Sequence, residues 1–81
     1  KKINFINIDV EGAEMKVLTN LSFKTYDPEV ICIEILGYQH LNSEKREIAI
    51  KKNEVYNFLI SKNYKKVWSG SSYFSHVFVR Q

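Results

Sequence analysis

Ile3-Asn4-Phe5-Ile6-Asn7-Ile8-Asp9-Val10 runs directly into Glu11-Gly12-Ala13-Glu14, and the change of texture between these two stretches decides the fold. The first is dense in β-branched and aromatic residues, with Ile6, Ile8 and Val10 on one side of an extended chain and Ile3 and Phe5 nearby, so it predicts a largely buried strand. Glu11 and Gly12 break it. Ala13, Val17 and Leu21 then recur at helical spacing with Leu18 beside them, which predicts a short amphipathic helix. Glu11 and Glu14 fall at its first turn, where the helix dipole favours negative charge and a carboxylate can cap exposed N–H groups.

Working outward, Thr25-Tyr26-Asp27-Pro28 is a turn signal, because Pro28 disfavours helix for the residue before it. Val30-Ile31-Cys32-Ile33-Glu34-Ile35-Leu36 is apolar at all but Glu34, the pattern of a central parallel strand buried on both faces. Strand, helix and strand in this order form a βαβ unit whose crossover is right-handed, so both strands end at the same edge. Gly37 closes the second strand, and Tyr38-Gln39-His40-Leu41-Asn42-Ser43 is a loop in which Asn42 or Ser43 can cap a helix beginning near Glu44. The apolar stripe of that helix takes in Ile48, Val55, Phe58 and Leu59, and Asn63 suits the left-handed residue that ends it. Tyr64-Lys65-Lys66-Val67-Trp68, a Ser69-Gly70-Ser71-Ser72 turn and Tyr73-Phe74-Ser75-His76-Val77-Phe78-Val79 read as an antiparallel hairpin. The predicted class is therefore α/β, in the order strand, helix, strand, helix, strand, strand, with two parallel strands and a terminal antiparallel hairpin.

With 44% hydrophobic and 26% charged residues, the 81-residue chain has the balance of a single soluble globular unit rather than a disordered tail, a collagen or a disulfide scaffold. No apolar run reaches the length of a membrane span and no secretory leader opens the chain, so a cytoplasmic location is expected. The single cysteine, Cys32, sits in an apolar run and is expected to be an inert, small, buried hydrophobe. Charge is divided along the chain: up to His40 there are four basic and six acidic residues, and beyond it eight basic and three acidic. Lys45, Arg46, Lys51, Lys52, Lys62, Lys65 and Lys66 fall amid helical periodicity and are expected to form a solvated helix face. Aromatic residues are not interleaved with them as a stacking platform for nucleic acid would need.

In open α/β sheets, ligands bind beyond the carboxyl ends of the strands. The first strand delivers Asp9 and Glu11 there, the second delivers Glu34 and the Gly37-Tyr38-Gln39-His40 loop, and the hairpin turn brings Ser71, Ser72, Tyr73 and His76 if the third strand runs parallel. Asp9 and Glu34 each lie within an apolar strand, where an ionised group requires a partner or a task. A carboxylate so placed can orient a substrate hydroxyl, accept its proton or hold a divalent cation. His40 and His76 lack metal-ligand spacing, no His and Cys cluster suggests zinc, and no P-loop or nucleophile elbow occurs. No metal site is expected.

Ile8-Asp9-Val10-Glu11-Gly12-Ala13-Glu14, followed by Val17-Leu18 and by Val30-Ile31-Cys32-Ile33-Glu34-Ile35, resembles the FkbM family of S-adenosylmethionine-dependent methyltransferases. The resemblance implies that the first strand is the fourth of a Rossmann-like sheet, that the second is the fifth, and that residues 1–81 form a single partial domain, the C-terminal, acceptor-side half. It implies transfer of a methyl group from S-adenosylmethionine to a hydroxyl of a sugar, polysaccharide or natural product. Asp9 is then the expected base and a contact to the cofactor, with Glu11 as a second catalytic residue and Glu34, Tyr38 and His76 on the acceptor side. The family's glycine-rich cofactor loop has no counterpart in this sequence, and the abrupt apolar start at Lys1, without Met, fits an absent cofactor-binding half. The piece alone is expected to bind the cofactor weakly or not at all, and to expose a sheet edge through which it could form a homo-oligomer. Two alternatives remain open: a non-catalytic binding or dimerisation module with the same half-fold, and a fragment of an RNA methyltransferase.

Overall fold

Phe5–Ile8 forms the first strand, β1, of the computed structural model, which describes residues 4–9, 12–71 and 73–81. Ile3, Val10, Glu11 and Ser72, on which parts of the strand, the acidic rim and the turn were expected, lie outside the described residues. The order continues α1 (Glu14–Asn20), α2 (Phe23–Tyr26), β2 (Val30–Glu34), α3 (Ser43–Ile50), α4 (Glu54–Ser61), β3 (Tyr64–Ser69) and β4 (Ser75–Arg80).

The first expected helix forms as α1 and is followed by an extra helical turn, α2, whereas the second is divided into α3 and α4; a side-chain cap starts α2 and α4 alike. Ser22 accepts a hydrogen bond from the Thr25 N–H at 3.2 Å, so Thr25 and Tyr26 belong to a helical turn rather than to the turn expected there. The chain leaves that turn at Asp27, which is left-handed at φ 43° and precedes Pro28. Asn42 caps α3 through the Lys45 N–H at 2.9 Å, and Asn53 caps α4 through the Val55 N–H at 2.8 Å. Each such cap supplies about 1 kcal/mol. The break at residues 51–53 has a packing consequence. Ile48, expected on the apolar stripe, is 59% exposed, and only Ile50 of α3 is buried. Asn63 takes the left-handed position after α4, with φ 71°.

The four strands form one sheet in the order β1-β2-β4-β3. β1 and β2 are parallel, with Ile6 opposite Ile31 and Ile8 opposite Ile33. β4 enters antiparallel between β2 and β3, pairing Ile33 with His76 on one side and Ser69 with His76 on the other. β3 therefore runs in the same direction as β1 and β2, and the carboxyl ends of all three lie along one edge with the hairpin turn.

One sheet face carries Ile8, Ile31, Ile33, Phe78, His76 and Tyr64, all buried, and Leu18, Ile50, Val55 and Leu59 of the helices complete that core. The other face carries Phe5, Asn7, Val30, Cys32, Glu34, Val77, Val79 and Trp68, none of them buried. Burial of β2 on both faces was the expectation, and the topology overturns it. The chain moves across the sheet in the same direction from β1 to β2 and from β2 onward to β3, so two right-handed crossovers put every helix on one side. Cys32, expected to be buried, is consequently half-exposed. No helix among the described residues is long and apolar enough to cross a membrane.

Candidate active site

The carboxyl edge of the sheet is built from the ends of β1 and β2, the loop after β2 and the hairpin turn. Ile8 lies opposite Ile33, so the next residues, Asp9 and Glu34, leave adjacent parallel strands side by side. Asp9 is exposed and Glu34 is half-buried. Behind them, Gly12 has φ 92°, a left-handed conformation that favours glycine, and its N–H donates to both carboxylate oxygens of Glu14 at 3.1 Å. Glu14, 7% exposed, was expected to cap the helix, but α1 has no side-chain cap and the carboxylate turns back to the chain before it. A cavity of about 200 Å³ opens between the beginnings of α1 and α4, bordered by Gly12, Glu14, Leu36, Asn53 and Glu54.

Tyr38 is half-buried on the loop after β2. Its hydroxyl accepts a hydrogen bond from Asn53 Nδ2 at 3.1 Å. Arg46 donates from Nε to the Tyr38 carbonyl at 3.2 Å and from Nη2 to the Gln39 carbonyl at 2.6 Å. The loop is therefore fastened to α3 and to the start of α4. His40 is exposed on the same loop. No group of three or more His, Cys, Asp and Glu side chains among the described residues is arranged to hold a metal ion.

At the hairpin end, sequence reasoning missed a cluster drawn from three elements. Tyr73 donates its phenolic hydrogen to Glu47 Oε2 at 2.6 Å. Lys66 pairs with Glu47 Oε1 at 3.2 Å and donates to Ser69 Oγ at 2.8 Å. Ser69 Oγ lies 2.8 Å from His76 Nδ1. Lys66 was expected on a solvated helix face, yet it lies in β3 with its side chain only 12% exposed. His76 is fully buried, edge-on to Tyr73 at 4.7 Å, and its Nε2 has no hydrogen-bond partner among the described residues.

Electrostatics follow from this packing. Burial first, and then the nearby Lys66 charge, push the His76 imidazole down to about 4, so the ring is neutral at pH 7 and its Nδ1 can accept the Ser69 hydroxyl hydrogen. Burial and the hydrogen bond to Glu47 raise the Tyr73 phenol well above its ordinary value. Burial works against ionisation of Glu47, but the hydrogen bonds from Tyr73 and Lys66 outweigh it and hold the carboxyl below its ordinary value. The cluster is thus an ionised carboxylate, an ammonium and a neutral imidazole linked through a serine hydroxyl. Among the described residues, the side-chain hydrogen bond of His76 is to Ser69.

Asp9, Glu34 and the loop of Tyr38 therefore lie along one edge, with Glu34 on the sheet face away from the helices and the Tyr38 hydroxyl on the helix side at Asn53, and His76 lies behind the hairpin turn rather than on the rim. Glu11 lies outside the described residues. Glu47 is separated from Lys66 and Tyr73 by the whole of α4, and no local pattern in the sequence could have joined it to them.

No curated protein and no solved structure matches the chain. A family model described as the methyltransferase FkbM domain matches residues 1–66, a span that takes in β1, the rim carboxylates Asp9 and Glu34 and both pairs of helices. By that match, the chain belongs to the FkbM methyltransferase family.

Proposed function

We propose that these residues form the acceptor side of an S-adenosylmethionine-dependent O-methyltransferase, with the sheet as the second half of a Rossmann-like domain and a sugar, polysaccharide or natural-product hydroxyl as the acceptor. The observation that carries this reading is the register of β1 against β2, which sets Asp9 beside Glu34 at the carboxyl edge of a chain in a methyltransferase family. The described residues fit the cofactor at one end only. The Asp9 and Glu34 carboxylates complement a sulfonium cation, whereas Gly12, Gly37 and Gly70 are spread one to a loop and make no glycine-rich cradle. Asp9 would hold the cofactor here, and the cofactor supplies an already activated methyl group.

The remaining work is alignment and proton removal. Asp9, exposed at the end of β1, accepts the hydroxyl proton as the acceptor oxygen becomes methylated, with Glu11 in a second catalytic role. Glu34 and Tyr38 line the acceptor side, Tyr38 held by Asn53 and Arg46. His76 acts from behind, through the Ser69 hydroxyl. Asp9→Asn in the intact enzyme, assayed with methyl-labelled cofactor, should lower kcat by about 10²–10⁴-fold. An unchanged kcat would overturn the assignment of Asp9.

The uncovered sheet face, with Phe5 56% and Trp68 53% exposed, favours a second reading, a non-catalytic module that associates through its sheet. A concentration-dependent dimer in sedimentation, together with no methyl transfer by the intact protein, would select it.

A further inference from the structure

A groove of about 480 Å³ runs along the outer side of the hairpin, between α3 and the β3–β4 turn, away from Asp9. It is bordered by Ser43, Glu47, Lys66, Trp68, Ser71 and Tyr73. We propose that this groove is a saccharide-binding subsite that holds a neutral sugar ring against Trp68 by hydrogen bonds to Glu47, Ser43 and Ser71.

The argument begins with what the groove's cations are doing. Lys66 already donates to Glu47 and Ser69 and lies 5.9 Å from the centre of the Tyr73 ring. Arg46 donates to two backbone carbonyls and stacks over Tyr73 at 5.2 Å. Both charges are engaged within the chain, so a phosphate or carboxylate ligand would have to break existing bonds in order to gain new ones. The groups still turned outward are of a different kind. Ser43 and Ser71 are exposed hydroxyls, and the Glu47 side chain is 51% exposed although its carboxylate is held in place by Tyr73 and Lys66. A fixed carboxylate and exposed hydroxyls are acceptors and donors suited to the hydroxyls of a sugar.

Trp68 supplies the apolar surface. The strand is irregular between Lys66 and Trp68, where β3 slips against β4. The slip breaks the alternation of faces, so Val67 at 49% and Trp68 at 53% are exposed in succession. Bulges of this type re-aim side chains beside binding sites. Gly70 leaves room for the indole to rest on the turn, since a Cβ there would lie 3.3 Å from Trp68 Cη2. An exposed indole with hydroxyl and carboxylate groups at its margin presents the apolar and polar halves that a pyranose ring requires, C–H groups against the ring and hydroxyls to the side.

This inference deepens the acceptor reading and rests on it for its purpose, but its test measures binding without methyl transfer, so the two can fail separately. Amide NMR spectra of the intact protein are recorded without cofactor while the methyl glycosides of glucose, galactose, mannose and rhamnose are titrated, with glucose 6-phosphate as the anionic comparison. Saturable shifts centred on Gly70, Ser71 and Glu47 with at least one neutral glycoside are expected. Trp68→Ala, which removes an exposed side chain, and Ser71→Ala should each weaken that binding about tenfold, the loss of one good contact. Absence of saturation with all four glycosides would overturn the proposal. So would binding undiminished in Trp68→Ala, or tighter binding of the phosphorylated sugar than of its neutral counterpart.

Discussion

The Tyr73 phenol and the Glu47 carboxylate meet at 2.6 Å across 26 residues of sequence, and this bond joins the hairpin turn to α3. Tyr73 is held in a left-handed conformation, φ 60°, with its N–H donating to the Gly70 carbonyl at 2.8 Å. Tyr73→Phe keeps the ring against His76 and removes only the hydroxyl. Because the bond is to a charged but partly exposed group, the cost expected in urea unfolding is about 1–2 kcal/mol. Glu47 should also titrate at higher pH in the variant, because one of the two hydrogen bonds that hold its carboxyl down is gone. An unmoved Glu47 titration by NMR would contradict the account.

His76 sets a pH dependence. Its ring has an ordinary value of 6.5 in the unfolded chain and about 4 in the fold, so the unfolded state binds the proton first. The contribution is fully present above pH 6.5 and is lost as pH falls toward 4, by roughly 3 kcal/mol at most. Glu47, held below its ordinary 4.5, adds a second loss in a lower window. Thermal melts across this range should show Tm falling in the wild type, and His76→Phe should flatten the upper part of the curve.

Glu34 offers a test of division of labour at the rim. If Asp9 takes the proton and Glu34 only lines the acceptor side, Glu34→Gln should raise KM for the acceptor several-fold and leave kcat within about threefold. A kcat loss as large as that of Asp9→Asn would reassign the roles.

At the opposite edge of the sheet, Arg80 Nη1 pairs with Asp27 Oδ2 at 2.6 Å, and the Tyr64 hydroxyl donates to the Pro28 carbonyl. Both groups of the ion pair are about one-third exposed, so Arg80→Ala should cost only about 0.5–1 kcal/mol. Methyl transfer by the folded variant should be unaffected, because the contact lies at the far ends of the strands from Asp9.

Much of this architecture is written locally. The runs at Phe5–Ile8 and Val30–Glu34, the Asn42 cap, the left-handed Asn63 and the turn around Gly70 each carry their signal within a few residues. The division of the longer helix was legible too, in Asn53 and Glu54 before Val55, but a continuous stripe through Ile48 was the simpler reading. Insertion of β4 between β2 and β3 was not legible, because either flank of β3 satisfies a hairpin equally well. The positions of Asp9 and Glu34 beside one another followed from strand ends. The Glu47, Tyr73, Lys66, Ser69 and His76 cluster depends on three elements meeting, and Lys66 in particular reads as a solvent lysine until Glu47 is beside it.

The interruption at residues 51–53 makes α3 and α4 mechanically different bodies. α4 buries Val55 and Leu59 in the core, whereas α3 buries Ile50 alone and holds the rim through Arg46 and Glu47. The loop after β2, α3 and the hairpin turn are thus bonded to one another through Arg46 and Glu47, and α3 meets the sheet through the Glu47–Lys66 pair, of which the Glu47 half is exposed. Such a unit opens by local fluctuation at far lower free energy than global unfolding. Amide hydrogens of α3 should exchange together and early, while those of α4, β2 and β4 wait for the whole chain to unfold, so the rim can open without loosening the core.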